Sequence, residues 1–376
     1  MKRIMKILGI VIIVILFLVF IFLMFIRYKF NNVTDNKDLQ NSLEKRVSKF
    51  LESSKTCGLI IGVFKDGKTS IMCYGFTNKD LRVKPDSSSL FELASTSKLF
   101  TTNVLQILCD KGVLSLDDKI GDILKDKIKL PQIAQNTTLR DLATHRSGFP
   151  SIPTSFLAKM TDENNPYKDL IIEDLYEYLK NCKDKKEDGN YEYSNFGMGL
   201  LGHLLELKTT TKYEDLIKQE LLSKLEMNQT TITLNDSLNK LLAQGYNENG
   251  KPNPIWTDNV LTGAGSFLSN GSDMIKFIRA NLDSNYSSVS KSLIKTHNKQ
   301  YDNEFGIGWA QPTFMDNFMG NKNIIWHNGM AGGYSSYLSI DKTTNSGLII
   351  LTNTAEDITS FGAILTRAIS TQSWKN

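Results

Sequence analysis

The chain has 376 residues and a formal charge of +4, with 41% hydrophobic and 22% charged residues. That length accommodates one large catalytic domain, or a core domain with an insertion. Five of the 44 basic residues fall within residues 1–30, which carry no acid, so the remainder is close to neutral and shows no basic stripe. This argues against a nucleic-acid-binding protein.

From Ile7 to Ile26 the chain is apolar throughout apart from Gly9. About twenty such residues span a bilayer as a helix. Lys2, Arg3 and Lys6 precede the run, which favours an N-inside orientation, although Arg27 and Lys29 reduce the asymmetry. A cleaved signal peptide is the competing reading. The run is long for one, no small-x-small cleavage site follows, and no nearby cysteine supports lipoprotein processing. The expectation is a retained membrane anchor over residues 1–30, a polar stalk over 31–37, and a catalytic domain over 38–376 held outside the cytoplasm.

Asp38 to Leu51 has helical spacing, with Leu39, Leu43, Val47 and Leu51 on one face. Gly58–Phe64 and Ser70–Phe76, either side of Asp66-Gly67, read as a β-hairpin. A tight turn there puts Cys57 opposite Phe76 and Cys73 opposite Ile60, so a disulfide needs a bulge or a shifted register. The four cysteines show no metal-binding spacing and are expected as free thiols, Cys109 as buried packing. No metal or cofactor is implied. From Ser95 the chain runs Leu99, Phe100, Val104, Leu105, Ile107 and Leu108 to Lys111-Gly112, a core helix with its stop signal. Residues 95 to about 230 read as mostly helical, with loops at Pro131, at His145–Pro150 and around Gly189. Three short strands follow at Ile324–Trp326, Tyr334–Ile340 and Gly347–Thr352, then a helix from about Ile358 to Ile369. Strands at both ends with helices between predict an α+β fold. Its antiparallel sheet is built from both chain ends, with a helical insert over about 100–230 on one side and the two terminal helices on the other.

The chemistry centres on Ser95 and Lys98. Three residues apart at a helix start, they share a face, and the amides there are unpaired. A lysine whose pKa is lowered by burial can activate a serine nucleophile, and the Ser95 N–H can help hold an oxyanion. Alone the spacing is weak, since it recurs at Ser42, Ser237, Ser288, Ser292 and Ser339. Tyr193 could exchange a proton with Ser95, its anion stabilised by Lys98, and Asn195 could bind Lys98 or a substrate amide. Tyr-x-Asn is common in loops and recurs at Tyr301. His327-Asn328-Gly329 ends a predicted strand run: His327 could meet a substrate carboxylate, Gly329 allows close approach, and the Met330 N–H is placed to be a second oxyanion donor. A lone strand-end histidine is more often structural.

Together Ser95-x-x-Lys98, Tyr193-x-Asn195 and His327-x-Gly329, in this order, resemble the three signatures of the serine β-lactamase and penicillin-binding protein superfamily. The similarity is to its class C and low-molecular-mass DD-peptidase branch, over about residues 45–370. His145–Gly148, Gly263–Ser266 and Phe305–Trp309 also fit. The resemblance implies the β-lactamase/DD-peptidase fold, Ser95 as acylated nucleophile, Lys98 as base and Tyr193 as proton donor to the leaving group and activator of the deacylating water. It further implies Asn195 as substrate contact and the N–H groups of Ser95 and Met330 as oxyanion hole. His145 and Arg146 are read as loop structure. His327 departs from the lysine usual in these β-lactamases. A histidine is mostly neutral near pH 7, so the implied carboxylate contact weakens and acylation should improve as pH falls through about 6.5. The expected function is a membrane-anchored serine hydrolase acting on D-alanyl amides or esters of the cell envelope, in peptidoglycan stems or teichoic acid. A class C-like β-lactamase and a non-catalytic penicillin-binding or sensor protein are the alternatives.

Overall fold

The computed structural model describes residues 2–31, 38–301, 305–319 and 323–374. The expected stalk lies outside them apart from Asn31, the last residue of the first helix. That helix, α1 (Lys2–Asn31), contains the stretch Leu8–Tyr28, long and apolar enough to cross a membrane, as an anchor or a signal sequence would be.

The sheet has five antiparallel strands: β1 (Gly58–Lys65), β2 (Lys68–Gly75), β3 (Ile324–Met330), β4 (Ser335–Asp341) and β5 (Ser346–Thr352). Their order is β2-β1-β5-β4-β3, so the two halves of the chain meet where β1 pairs with β5. The β1–β2 turn is Asp66-Gly67, at φ 54° and 74°, the double left-handed conformation of a type I′ hairpin. The resulting register sets Ile60 opposite Cys73, and all four cysteines are free.

Alternation along β1 sorts the layers. Leu59, Ile61 and Val63 pack under α2 (Leu39–Ser53) and the C-terminal helix, here α6 (Thr359–Thr371), where Phe50 stacks on Phe361 at 4.0 Å. Ile60 and Phe64 face the larger core on the opposite side. Through that core runs α3 (Lys98–Asp110), buried from Lys98 to Leu108. Its Phe100 meets Phe267 and Phe277 edge-on, each at 5.1 Å. Buried polar side chains on α3 are satisfied locally: Thr101 donates to the Gly263 carbonyl at 2.6 Å and Thr102 to that of Lys98 at 3.0 Å. Residues 111–230 carry a series of mostly short helices and one long one, α4 (Asn195–Thr209), and α5 (Gly271–Leu282) lies against the sheet.

One boundary matters for the site. The apolar run ends at Trp326, yet β3 continues to Met330. Its later part buries His327 and Gly329 instead of aliphatic side chains, so no hydrophobic pattern announced it.

Candidate active site

Ser95 lies on a 3₁₀ turn, Ala94–Ser97, that feeds directly into α3. Ala94 has φ 47°, a left-handed conformation uncommon for a residue with a side chain. The surrounding structure holds it there. The Leu93 N–H bonds to the Phe267 carbonyl at 2.8 Å, and the Ser336 hydroxyl donates to the Leu93 carbonyl at 2.6 Å. On the sheet side, β3 lies against the turn at Gly329, where a Cβ would stand 2.3 Å from the Leu93 carbonyl oxygen and 2.8 Å from the Ser95 nitrogen. Only glycine fits there.

Lys98 is completely buried, with Nζ 2.9 Å from Ser95 Oγ and 2.6 Å from the Ala264 carbonyl. Burial pulls its pKa down to about 7, against a smaller upward pull from Asp258. A substantial fraction is therefore free amine near neutrality, able to take the serine proton.

Tyr193 precedes α4. Ser194 caps that helix, its hydroxyl accepting from the Gly197 N–H at 2.8 Å and donating to the Pro150 carbonyl at 2.7 Å. This fixes Tyr193 over the site, with its ring 5.1 Å from Lys98 Nζ. The expected stabilised phenolate is corrected here. Burial raises the Tyr193 pKa well above that of a free phenol and outweighs the lowering influence of Ser95 beside it, so at rest the group is an acid.

His145 is more than loop structure. It is buried, adopts φ 57°, and lies 4.4 Å from the Tyr193 ring. Its Nδ1 accepts the Ser194 N–H at 3.1 Å, which places its proton on Nε2, a buried atom without a partner among the described residues. Burial and nearby Lys98 hold its pKa well below the usual range. Phe305 closes this cluster, 5.2 Å from His145 and 6.0 Å from His327.

His327 is 2% exposed, and its Nδ1–H donates to the Asn328 carbonyl at 2.7 Å. Burial, reinforced by Lys98, pushes its pKa down to about 3. The expectation of titration near 6.5 fails, because the ring sits in a desolvated cluster instead of at a solvated strand end. Asn328 does not join the site. Strand alternation turns it to the other face, where it donates to the Thr359 hydroxyl of α6 at 2.8 Å.

Ser95, Asn195 and Met330 open onto one cavity of about 160 Å³. Met330 is 57% exposed at its rim, while Asn195 contacts the Ser151 hydroxyl at 3.5 Å and makes no hydrogen bond to Lys98. The cavity wall also carries residues that the sequence did not single out. Asp258 accepts the N–H groups of Val260 and Leu261, at 2.9 and 2.6 Å, and confinement lifts its pKa to about 6. Glu92, 2% exposed, accepts the Trp256 N–H at 3.2 Å and is raised to about 8 by burial. A carboxyl between Phe91 and Leu93 was a readable sign of a buried acid; Asp258, alone in a polar loop, offered none. Among the described residues no cluster suits a metal ion.

Base, nucleophile and phenol converge on one hydroxyl, an arrangement that defines a serine hydrolase. The family model described as Beta-lactamase matches residues 43–372, and the chain belongs to that family. Protein flp of Staphylococcus aureus strain MW2 is 27% identical over 327 residues, which cover 84% of this chain and 63% of flp. The chain thus spans less than two thirds of that relative. A β-lactamase of Pseudomonas fluorescens is 24% identical, over 87% of this chain and 98% of that protein. Among solved structures, the class C β-lactamase of Rhodobacter sphaeroides superposes with a TM-score of 0.75 at 22% identity, covering 88% and 99% of the two chains. The β-lactamase/D-alanine carboxypeptidase of Pseudomonas syringae gives 0.76 at 20%, covering 88% and 98%. At such identities these structures show a shared fold.

Proposed function

We propose that this hydrolase works through a Ser95 acyl-enzyme on D-alanyl amides or esters of the cell envelope, anchored by α1 with its catalytic domain outside the cytoplasm. The observation that carries the reading is the 2.9 Å contact between a fully buried Lys98 amine and Ser95 Oγ at the floor of a small cavity. Free Lys98 takes the Ser95 proton as Oγ attacks the acyl carbonyl. The N–H groups of Ser95 and Met330 receive the developing oxyanion, and Asn195 contacts the substrate from the cavity wall. Tyr193, neutral at rest, gives its proton to the departing amine or alkoxide, and as phenolate it then draws a proton from the water that releases the acyl group. The D-alanyl preference is supported by the D-alanine carboxypeptidase among the structural neighbours. Turnover of β-lactams is disfavoured because His327, with a pKa of about 3, supplies no cation for their carboxylate.

The test is mass spectrometry of the full chain after exposure to D-alanyl-D-alanine peptides, D-alanyl esters and penicillin. The expected result is an adduct on Ser95 from a D-alanyl substrate, absent in Ser95→Ala. An adduct surviving that substitution, or one formed by penicillin alone, would refute the reading.

A further inference from the structure

The Ser95 acyl-enzyme reading leaves two kinds of D-alanyl bond open, and the cavity beside Ser95 bears on the choice. An alanyl ester on a polyol carries a free α-ammonium next to the scissile carbonyl. In a peptide stem the same nitrogen is an amide and continues into a chain. The cavity beside Ser95 is about 160 Å³ and open to solvent, so its lining rather than its size makes the choice.

Its wall is acidic. Asp258 is fixed by two backbone N–H bonds, both to Oδ1, which leaves Oδ2 for a ligand. Glu92 stands behind it, close enough for the two carboxyls to interact electrostatically. Two more polar atoms, Trp256 Nε1 and Ser266 Oγ, are buried in residues of this wall without a partner among the described residues, and Ser266 is 8% exposed. A buried hydroxyl calls for a partner, which at a cavity wall is a water or a ligand group. The Trp256 ring meets Tyr167 edge-on at 5.3 Å, adding an aromatic side suited to a small cation. No acid in this wall is neutralised by an ion pair among the described residues, although Lys98 lies within electrostatic range of Asp258.

We propose that this cavity selects acyl groups bearing a free α-ammonium, with Asp258 as the carboxylate that receives it, so that unblocked D-aminoacyl esters are preferred over N-acylated ones. The inference rests on the Ser95 acyl-enzyme reading and chooses between the two substrate classes that reading leaves open.

The test compares kcat/KM of the full chain, in nonionic detergent, for D-alanyl, N-acetyl-D-alanyl and D-lactyl methyl esters. A fluorophosphonate titre counts folded active sites. Loss of a charge-assisted contact predicts that wild type prefers the free amine about 10- to 100-fold over both neutral analogues. Asp258→Asn keeps an oxygen for the two backbone amides and should bring that ratio to within about threefold of unity. A variant that merely perturbed Lys98 or the loop would slow all three esters together and leave the ratio intact, which overturns the proposal. A wild-type ratio near or below one overturns it without recourse to any variant, while Ser95 acylation by the neutral esters leaves the hydrolase reading standing. Failure of every ester to acylate Ser95, in protein that fluorophosphonate still labels, overturns the proposal and leaves only the amide branch of the hydrolase reading.

Discussion

Replacing Lys98 with methionine tests whether the buried amine is neutral in the working enzyme. In the unfolded chain the amine titrates near 10.5, whereas in the fold burial lowers that to about 7. Between these values the unfolded state binds more protons, so stability rises with pH. The penalty for burying the ammonium is complete below about pH 7 and fades as pH climbs toward 10.5. Each unit is worth about 1.4 kcal/mol, so the whole penalty is on the order of 5 kcal/mol. Methionine matches the stem and does not ionise. It also deprives Ser95 Oγ and the Ala264 carbonyl of a partner, at about 1–3 kcal/mol each, but those losses do not vary with pH. The unfolding free energy of wild type minus that of Lys98→Met should therefore climb with a slope that approaches about 1.4 kcal/mol per unit, roughly 2 kcal/mol from about pH 7 to about 9. Glu92 titrates inside this window, but its shift comes from burial, the Trp256 N–H and Asp258, so it cancels between the two proteins, and Asp258 titrates below the window. Urea unfolding of the full chain in nonionic detergent, followed by tryptophan fluorescence, supplies the numbers. A difference that stays flat with pH would mean that Lys98 remains an ammonium in the fold, and the serine would need another base.

The same lowered pKa predicts that Ser95 acylation falls about tenfold per pH unit below about 7, for β-lactams as for esters. A rate that increased on acidification through 6.5 would show that His327 titrates after all. Tyr193→Phe removes the proton donor, so release of alkoxide or amine leaving groups should slow by about 10²–10⁴-fold while p-nitrophenolate, which needs no proton, is affected far less; equal losses would assign Tyr193 a packing role only. Gly329→Ala forces a methyl against the Leu93 carbonyl and Ser95 amide, and should cost about 1–3 kcal/mol in stability along with most of the acylation rate. Fluorescent penicillin labelling at wild-type speed would show that β3 can move off the turn.

What could be read in advance was what local spacing controls. Ser95 and Lys98 meet because three residues along a helix start bring them to one side, and Asp66-Gly67 fixes the hairpin because both residues accept positive φ. Tyr193 was legible through order and context, its neighbour Ser194 being the cap of α4. Long-range packing was not. The hydrophobic pattern stops at Trp326 because β3 beyond it buries a histidine and a glycine, so Asn328 could not be assigned to a face. His145, Glu92 and Asp258 come from three separate segments, and each matters only through groups that the fold brings near it. The protonation states were equally hidden, since desolvation by distant elements moves Lys98, Tyr193 and His327 away from their ordinary behaviour.

These shifts have a joint consequence that no one of them carries alone. Near neutrality His327 and His145 are uncharged, and Lys98 spends much of its time as free amine. The ionised group facing the cavity with most consistency is then Asp258, which titrates at about 6, with Glu92 largely protonated behind it. A substrate carboxylate entering beside Ser95 meets an acidic wall and no fixed cation; a substrate ammonium meets a partner. Binding an ammonium there would in turn ease the pull of Asp258 on Lys98, the nearby negative charge that favours its charged form. With that pull reduced, Lys98 gives up its proton more readily, and a cationic acyl group would thereby favour the form of the base that attacks it.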